Sequence, residues 1–170
     1  DGRDRIEGVQ ITPLADGSPD AQKRFEIPCD TLLLSVGLVP ENDLSKKMGV
    51  AINPMTNGPN VDATMMTSVD GVFATGNVLH VHDLVDFVSE ESTRTGRYVA
   101  DYLEGRRPAL QVRVKPGANV RYVNPGRFDP AAESAKLYFR SLIVKNSAVV
   151  EARLAGNVVW KKKISHVQPS

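Results

Sequence analysis

The sequence predicts an α/β unit over residues 1–108, followed by a small all-β, sandwich-like module over residues 109–170. Three observations predict it. Thr31-Leu32-Leu33-Leu34-Ser35-Val36 is an apolar run closed by Gly37, the pattern of a strand covered on both faces, as in a parallel sheet. Residues 84–104 carry apolar or small side chains at steps of three and four, the spacing of one long amphipathic helix. Beyond Pro108 no helical pattern of useful length occurs, and short strand-like runs follow one another between turn signals.

The elements follow in order. Ile6, Val9 and Ile11 alternate with Glu7 and Gln10, and residues 23–27 alternate again; the Gly/Asp/Ser/Pro cluster at 16–20 makes this a β-hairpin with a loose loop. After the 31–36 strand comes the turn Gly37-Leu38-Val39-Pro40-Glu41-Asn42. Residues 43–48 are expected to form one or two helical turns, with Asn42 or Asp43 as N-cap and Gly49 at the end. Short extended pieces at 50–52 and 60–64 flank a turn-rich loop. In the long helix the apolar stripe is Leu84, Val85, Val88, Ser92, Thr95, Gly96, Val99, Ala100 and Leu103. Asp83 is the expected N-cap, Gly105 and Pro108 end the helix, and the small Ser92 and Gly96 predict close contact on the buried face. Glu90, Arg94, Arg97 and Asp101 form its polar side. Strands are expected at 110–114, 120–123, 136–144, 148–154 and 158–164, with a tight turn at Ala155-Gly156-Asn157. A module this small is marginal alone and is expected to dock on the α/β part or on a partner.

Composition excludes several function classes. A net charge of +1 gives no electrostatic case for nucleic acid or an anionic membrane, and Lys161-Lys162-Lys163 reads as a solvated strand end. A single cysteine, Cys29, rules out an internal disulfide framework, a Cys-rich metal site and a C-x-x-C redox pair in this segment. No apolar run approaches the about 18 residues of a membrane span, and no signal peptide is read. A reducing cytoplasm is the expected compartment.

The string Thr67-Ser68-Val69-Asp70-Gly71-Val72-Phe73-Ala74-Thr75-Gly76-Asn77-Val78 carries the chemistry. A polar turn leads into a short buried strand that ends in Gly and a small polar side chain. Ligands of open α/β sheets bind at the carboxyl ends of strands. The start of the next helix adds unpaired N–H groups and positive partial charge, which suit a phosphate or a developing anion. Gly76 lets the backbone approach a ligand, and Asn77 offers an uncharged donor and acceptor.

The string resembles the second flavin-binding motif of the pyridine nucleotide–disulfide oxidoreductases, T-x-x-x-G-(V/I)-(F/Y)-A-x-G-D, with Asn77 where Asp is usual. Residues 35–42 resemble the family's (A/S)-x-G-x-x-P-N junction with one residue added, which implies that Gly37 and Pro40 lie near the cofactors. Gly37 also reads as a plain turn glycine. The resemblance implies FAD and NAD(P)H as cofactors. It implies a ribityl contact for Asn77 and a phosphate contact for the Val78 N–H. The amides of Leu84 and Val85, with His82 and Asp83, would face the pyrimidine edge of the isoalloxazine. A helix terminus there stabilises negative charge by about 0.3–1 kcal/mol when exposed and up to about 2 when partly buried. Loss of the usual Asp charge at position 77 is expected to alter flavin affinity or potential. The residues from Gly76 to Glu91, and Val120-Arg121-Tyr122-Val123-Asn124-Pro125 in the tail, resemble a subgroup found with glycerol-3-phosphate dehydrogenase-type proteins.

The family's G-x-G-x-x-G loops occur nowhere in the chain, which starts in a polar stretch without Met. The expectation is therefore a C-terminal segment that completes the FAD site of a longer flavoprotein. The intact parent would transfer hydride between NAD(P)H and FAD and pass electrons to an unidentified acceptor, while the isolated segment would be inactive. Its expected partners are the missing N-terminal FAD/NAD(P) portion of the same chain and a dehydrogenase-type protein. No side chain has a claim to a catalytic role. Two alternatives use the same residues. One is a non-enzymatic docking module whose β tail binds a partner subunit. The other starts from His80-Val81-His82-Asp83, which resembles the H-x-H metal pair of amidohydrolase-type hydrolases. Against it, the remaining histidine is the distant His166 and no βα series is present, so no metal ligand is assigned.

Overall fold

Period-two alternation at both ends of the first stretch builds a hairpin. In the computed structural model, which describes residues 4–108, 111–132 and 134–169, the elements are β1 (Gly8–Ile11), β2 (Leu14–Ala15), β3 (Ser18–Pro19) and β4 (Phe25–Pro28). β1 pairs antiparallel with β4, Val9 opposite Ile27 and Ile11 opposite Phe25. The expected loose loop contains a second hairpin, β2 with β3. Its turn residues Asp16 and Gly17 have φ of 51° and 79°, the two left-handed positions of the turn that matches strand twist. These strands belong to the first of two compact units, Asp1–Gly37; the second is Leu38–Ser170.

The strand expected at 31–36 is not formed. The segment has no regular structure and Leu33 is 90% exposed. A strand buried on both faces exists only through its neighbours, and among the described residues none pairs with it. Among the described residues of 1–108, the parallel sheet expected of an α/β unit is therefore replaced by two two-stranded antiparallel ladders, β1–β4 and β2–β3.

In the second unit, α1 (Asp43–Lys47) starts after Asn42 and ends at Met48, with Gly49 at φ 77°. Asn42 does not cap the helix with its side chain; its buried amide donates to Asn57 O and Val78 O, 2.8 Å each. The motif strand is reduced to a single bridge, Met66 with Phe73, and Gly76–Val78 forms a 3-10 turn. Val61, Met65, Ala74 and Leu79 make the core beneath it, with Val78 and Tyr98 packed against them. Gly58 lies against the Leu79 backbone so closely that a Cβ would stand 1.7 Å from Leu79 O.

α2 (Val85–Leu103) is the predicted long helix, but its buried face is rotated from the expected one. Thr95 of the expected stripe is buried, but so is Glu91, which lies outside that stripe. Gly96 is exposed, with open space where a Cβ would stand, and Leu103 is 77% exposed. Its N-cap is Leu84 rather than Asp83, and no side chain caps it.

The tail comprises β5 (Val112–Arg113), β6 (Val120–Asn124), β7 (Arg127–Phe128), β8 (Tyr138–Ser141), β9 (Lys145–Leu154) and β10 (Asn157–Val167). β5 pairs with β7, β6 with β8 and β9 with β10, all antiparallel. The expected sandwich is absent among the described residues: these are separate two-stranded ladders. Ala155 and Gly156, both at positive φ, turn β9 into β10 as expected. The expected strand at 110–114 starts at Leu110, and the boundary drawn at 108/109 touches Ala109; both residues lie outside the described set.

Candidate functional site around the motif turn and the start of the long helix

The turn Gly76–Val78 and α2 are brought together by one buried carboxylate. Glu91, on the second turn of α2, is 0% exposed. Its Oε1 accepts from the Gly76 N–H at 2.6 Å, from Thr75 Oγ1 at 3.1 Å and lies 3.3 Å from His82 Nε2. Its Oε2 lies 3.4 Å from His80 Nε2. Gly76 sits at φ 71°, a conformation that L side chains rarely adopt, and a Cβ there would press Val88 Cγ1 at 3.1 Å. The glycine thus serves close packing of the turn on the helix.

The two histidine rings meet at a tilt of 45°, 4.2 Å between centroids. Tyr138 of β8 covers both, at 5.3 Å from His80 and 5.0 Å from His82, and Tyr122 of β6 stands 5.8 Å from His80. Burial pushes the Glu91 carboxyl up, but the His80 ring, the Gly76 amide and the charge of both histidines outweigh it and hold it below the ordinary carboxylate value. Burial, with the neighbouring His80 charge, holds His82 below the usual imidazole value despite Glu91. Tyr122 is pushed up by burial.

Around this buried cluster lies an exposed edge. Asn77 is exposed, and its Oδ1 accepts from the His82 N–H at 3.1 Å. Asp83, expected to cap α2, instead binds Arg140 of β8 through both oxygens, 2.8 and 2.7 Å. Arg140 also donates to Val81 O at 2.8 Å. Leu84 and Val85 are exposed at the uncapped helix start. Among the sequence-predicted residues, the structure thus gathers Gly76, Asn77, Val78, His82, Asp83, Leu84 and Val85. The His82 ring is turned into the protein, away from that exposed edge. Gly37, at φ 87°, belongs to the first unit and Pro40 to the second.

Sequence reasoning missed Glu91, Tyr122, Tyr138 and Arg140. Glu91 was legible in principle: it falls at the helical step between Val88 and Thr95. The tail residues carried no local signal, because their role arises from pairing of distant segments.

The sequence model of the pyridine nucleotide-disulphide oxidoreductases matches residues 5–124. The chain belongs to this family. A relative named "Putative glutamate synthase [NADPH] small chain", from Cereibacter sphaeroides, is 28% identical over 113 residues, covering 59% of this chain and 27% of that protein. The chain thus spans well under half the length of that curated relative. No solved structure matches it. Membership of an oxidoreductase family leaves the hydrolase alternative without support. No helix among the described residues is long and apolar enough to cross a membrane.

Proposed function

We infer that this chain forms the flavin-facing part of an FAD-dependent oxidoreductase that exchanges hydride with NAD(P)H. The observation that carries the reading is the exposed edge from Asn77 to the start of α2, where the motif turn meets helix amides that no side chain caps. Such amides suit an anion or a ring edge that gathers negative charge. Within this edge, Asn77 would bind a ribityl hydroxyl, the Val78 N–H the phosphate, and the Leu84 and Val85 amides the pyrimidine edge of the ring. Asp83 would sit beside that edge, its charge shared with Arg140. His82 fits less well, because its ring is committed to Glu91. FAD, when bound, supplies the redox chemistry; the chain's residues bind and orient it.

The finer parts of the reading rest on sequence resemblance. They are the role as a segment of a longer flavoprotein that is inactive alone, the subgroup found with glycerol-3-phosphate dehydrogenase-type proteins, and a dehydrogenase-type partner; a cytoplasmic setting rests on the single cysteine instead. Non-enzymatic docking by the β tail is the second reading, favoured by exposed apolar side chains such as Val149 and Trp160 on the β9–β10 ladder. The test is the visible spectrum of the full-length protein that contains this chain. Tightly bound yellow flavin is expected. Asn77→Ala should weaken flavin binding by roughly threefold to tenfold, the value of one hydrogen bond of about 0.5–1.5 kcal/mol. A parent that stays colourless after reconstitution with FAD refutes the assignment.

A further inference from the structure

His80 and His82 stand two residues apart on the bend before α2, and Glu91 faces both. Their ligating atoms all lie within 4.8 Å of one another. The nitrogen–oxygen separations are 3.4 Å for His80 and 3.3 Å for His82. The His80 distance is to Oε2 and the His82 distance to Oε1. Donors held 2.0–2.1 Å from a tetrahedral ion are separated by about 3.3–3.4 Å, so each imidazole stands from one carboxylate oxygen at the spacing a shared cation imposes. Two further observations point to a ligand. Glu91 Oε2 and His80 Nε2 are buried and, despite their proximity, have no hydrogen-bond partner. The other carboxylate oxygen is held by the Gly76 amide and the Thr75 hydroxyl, the outer contacts that orient a ligating carboxylate.

We propose that His80, His82 and Glu91 form a binding site for a divalent transition-metal cation. Two imidazoles and one carboxylate suit zinc, iron(II) or cobalt(II); magnesium and calcium favour all-oxygen sites. The cation compensates the buried carboxylate, displaces the ring N–H protons that face it, and joins the bend 80–82 to the second turn of α2. Tyr138 and Tyr122 close the site from the tail, so β6 and β8 complete it without supplying ligands. The site lies inside the protein, behind the edge proposed for flavin, and its occupancy is measurable without flavin.

The test is cobalt(II) titration of the full chain after removal of bound metal with a chelator. The expected result is ligand-field absorption in the visible that saturates at one equivalent, together with paramagnetically shifted imidazole proton signals from two histidines. Thr75→Val should weaken cobalt binding by about tenfold or more through loss of an outer contact. His80→Ala and His82→Ala should abolish the absorption, and His166→Ala should leave it unchanged. If the histidine variants fail to fold, the shifted signals of the unaltered chain decide the matter by themselves. Folded chain that shows neither absorption nor shifted imidazole signals overturns the proposal, as does absorption that survives in the His80→Ala/His82→Ala double variant.

Discussion

At the scale of single residues, Glu91 does what its environment should forbid. A bare carboxylate in the interior is costly, and it survives here because the Gly76 amide, the Thr75 hydroxyl and two imidazoles surround it. Removing one member of such a buried set leaves the others unmet, a loss of about 3–5 kcal/mol in comparable pairs. Glycines set the other limit. At Gly58 an added Cβ would stand 1.7, 2.4 and 2.8 Å from the O, C and Cα of Leu79. These are backbone atoms of a residue that is 0% exposed, so no flexible side chain can yield. Gly58→Ala is therefore expected to destabilise by about 1–3 kcal/mol or more, measured as a lower urea midpoint with an unchanged slope. Gly96→Ala serves as the contrast. It faces open space in mid-helix and should stabilise by about 0.5–1 kcal/mol. A Gly58→Ala midpoint no lower than that of the unaltered chain would mean that Gly58 does not lie against the Leu79 backbone.

At the scale of elements, local pattern and long-range pairing were legible to different degrees. The first hairpin, α1, α2 and the β9–β10 turn could be read from periodicity and turn residues, because each is specified by its own residues. Residues 31–36 were apolar enough for a buried strand, yet strand status depends on neighbours that the described residues do not provide. The buried face of α2 was misread in part for a related reason: Thr95 of the expected stripe is buried, but Val85, Gly96 and Leu103 are exposed and Glu91, outside the stripe, is buried. Asp83 was read as a cap from its position alone, and a distant strand claims it instead. That claim gives the tail its hold on the motif. Arg140 of β8 binds Asp83 through both oxygens and Val81 O, and its side chain is mostly buried. Arg140→Met keeps the length and removes the charge. It should cost about 1.5–3 kcal/mol, the value of hydrogen bonds to charged groups, and should speed hydrogen exchange in β6 and β8 before α2. If exchange in β6 and β8 stays as slow as before, the tail is held by other contacts.

At the scale of the second unit as a whole, Leu38–Ser170, a surface cluster ties the motif's first turn to the far end of α2. Asp70 accepts from the Tyr102 hydroxyl at 2.8 Å and from Arg107 Nη1 at 2.8 Å, and the Arg107 guanidinium lies 4.2 Å from the centre of the Tyr102 ring. Phe73 meets Tyr102 edge-on at 5.5 Å, which continues the link inward. Arg107, then Tyr102, hold the Asp70 carboxyl below its ordinary value. The sign follows from linkage. A depressed folded-state value means that the unfolded chain binds the proton more readily. The contribution to stability is therefore complete above the unfolded value of about 3.9 and is lost as pH falls through the lower folded value. Because the cluster is exposed, its effect should be small and should shrink further with salt. Asp70→Asn keeps the shape of the side chain and removes the charge. The unfolding midpoints of the two proteins, measured from pH 7 downward at low salt, should differ at neutral pH and converge in the acid limb. A difference that grows as the pH falls would mean that Asp70 is not held by Arg107 and Tyr102.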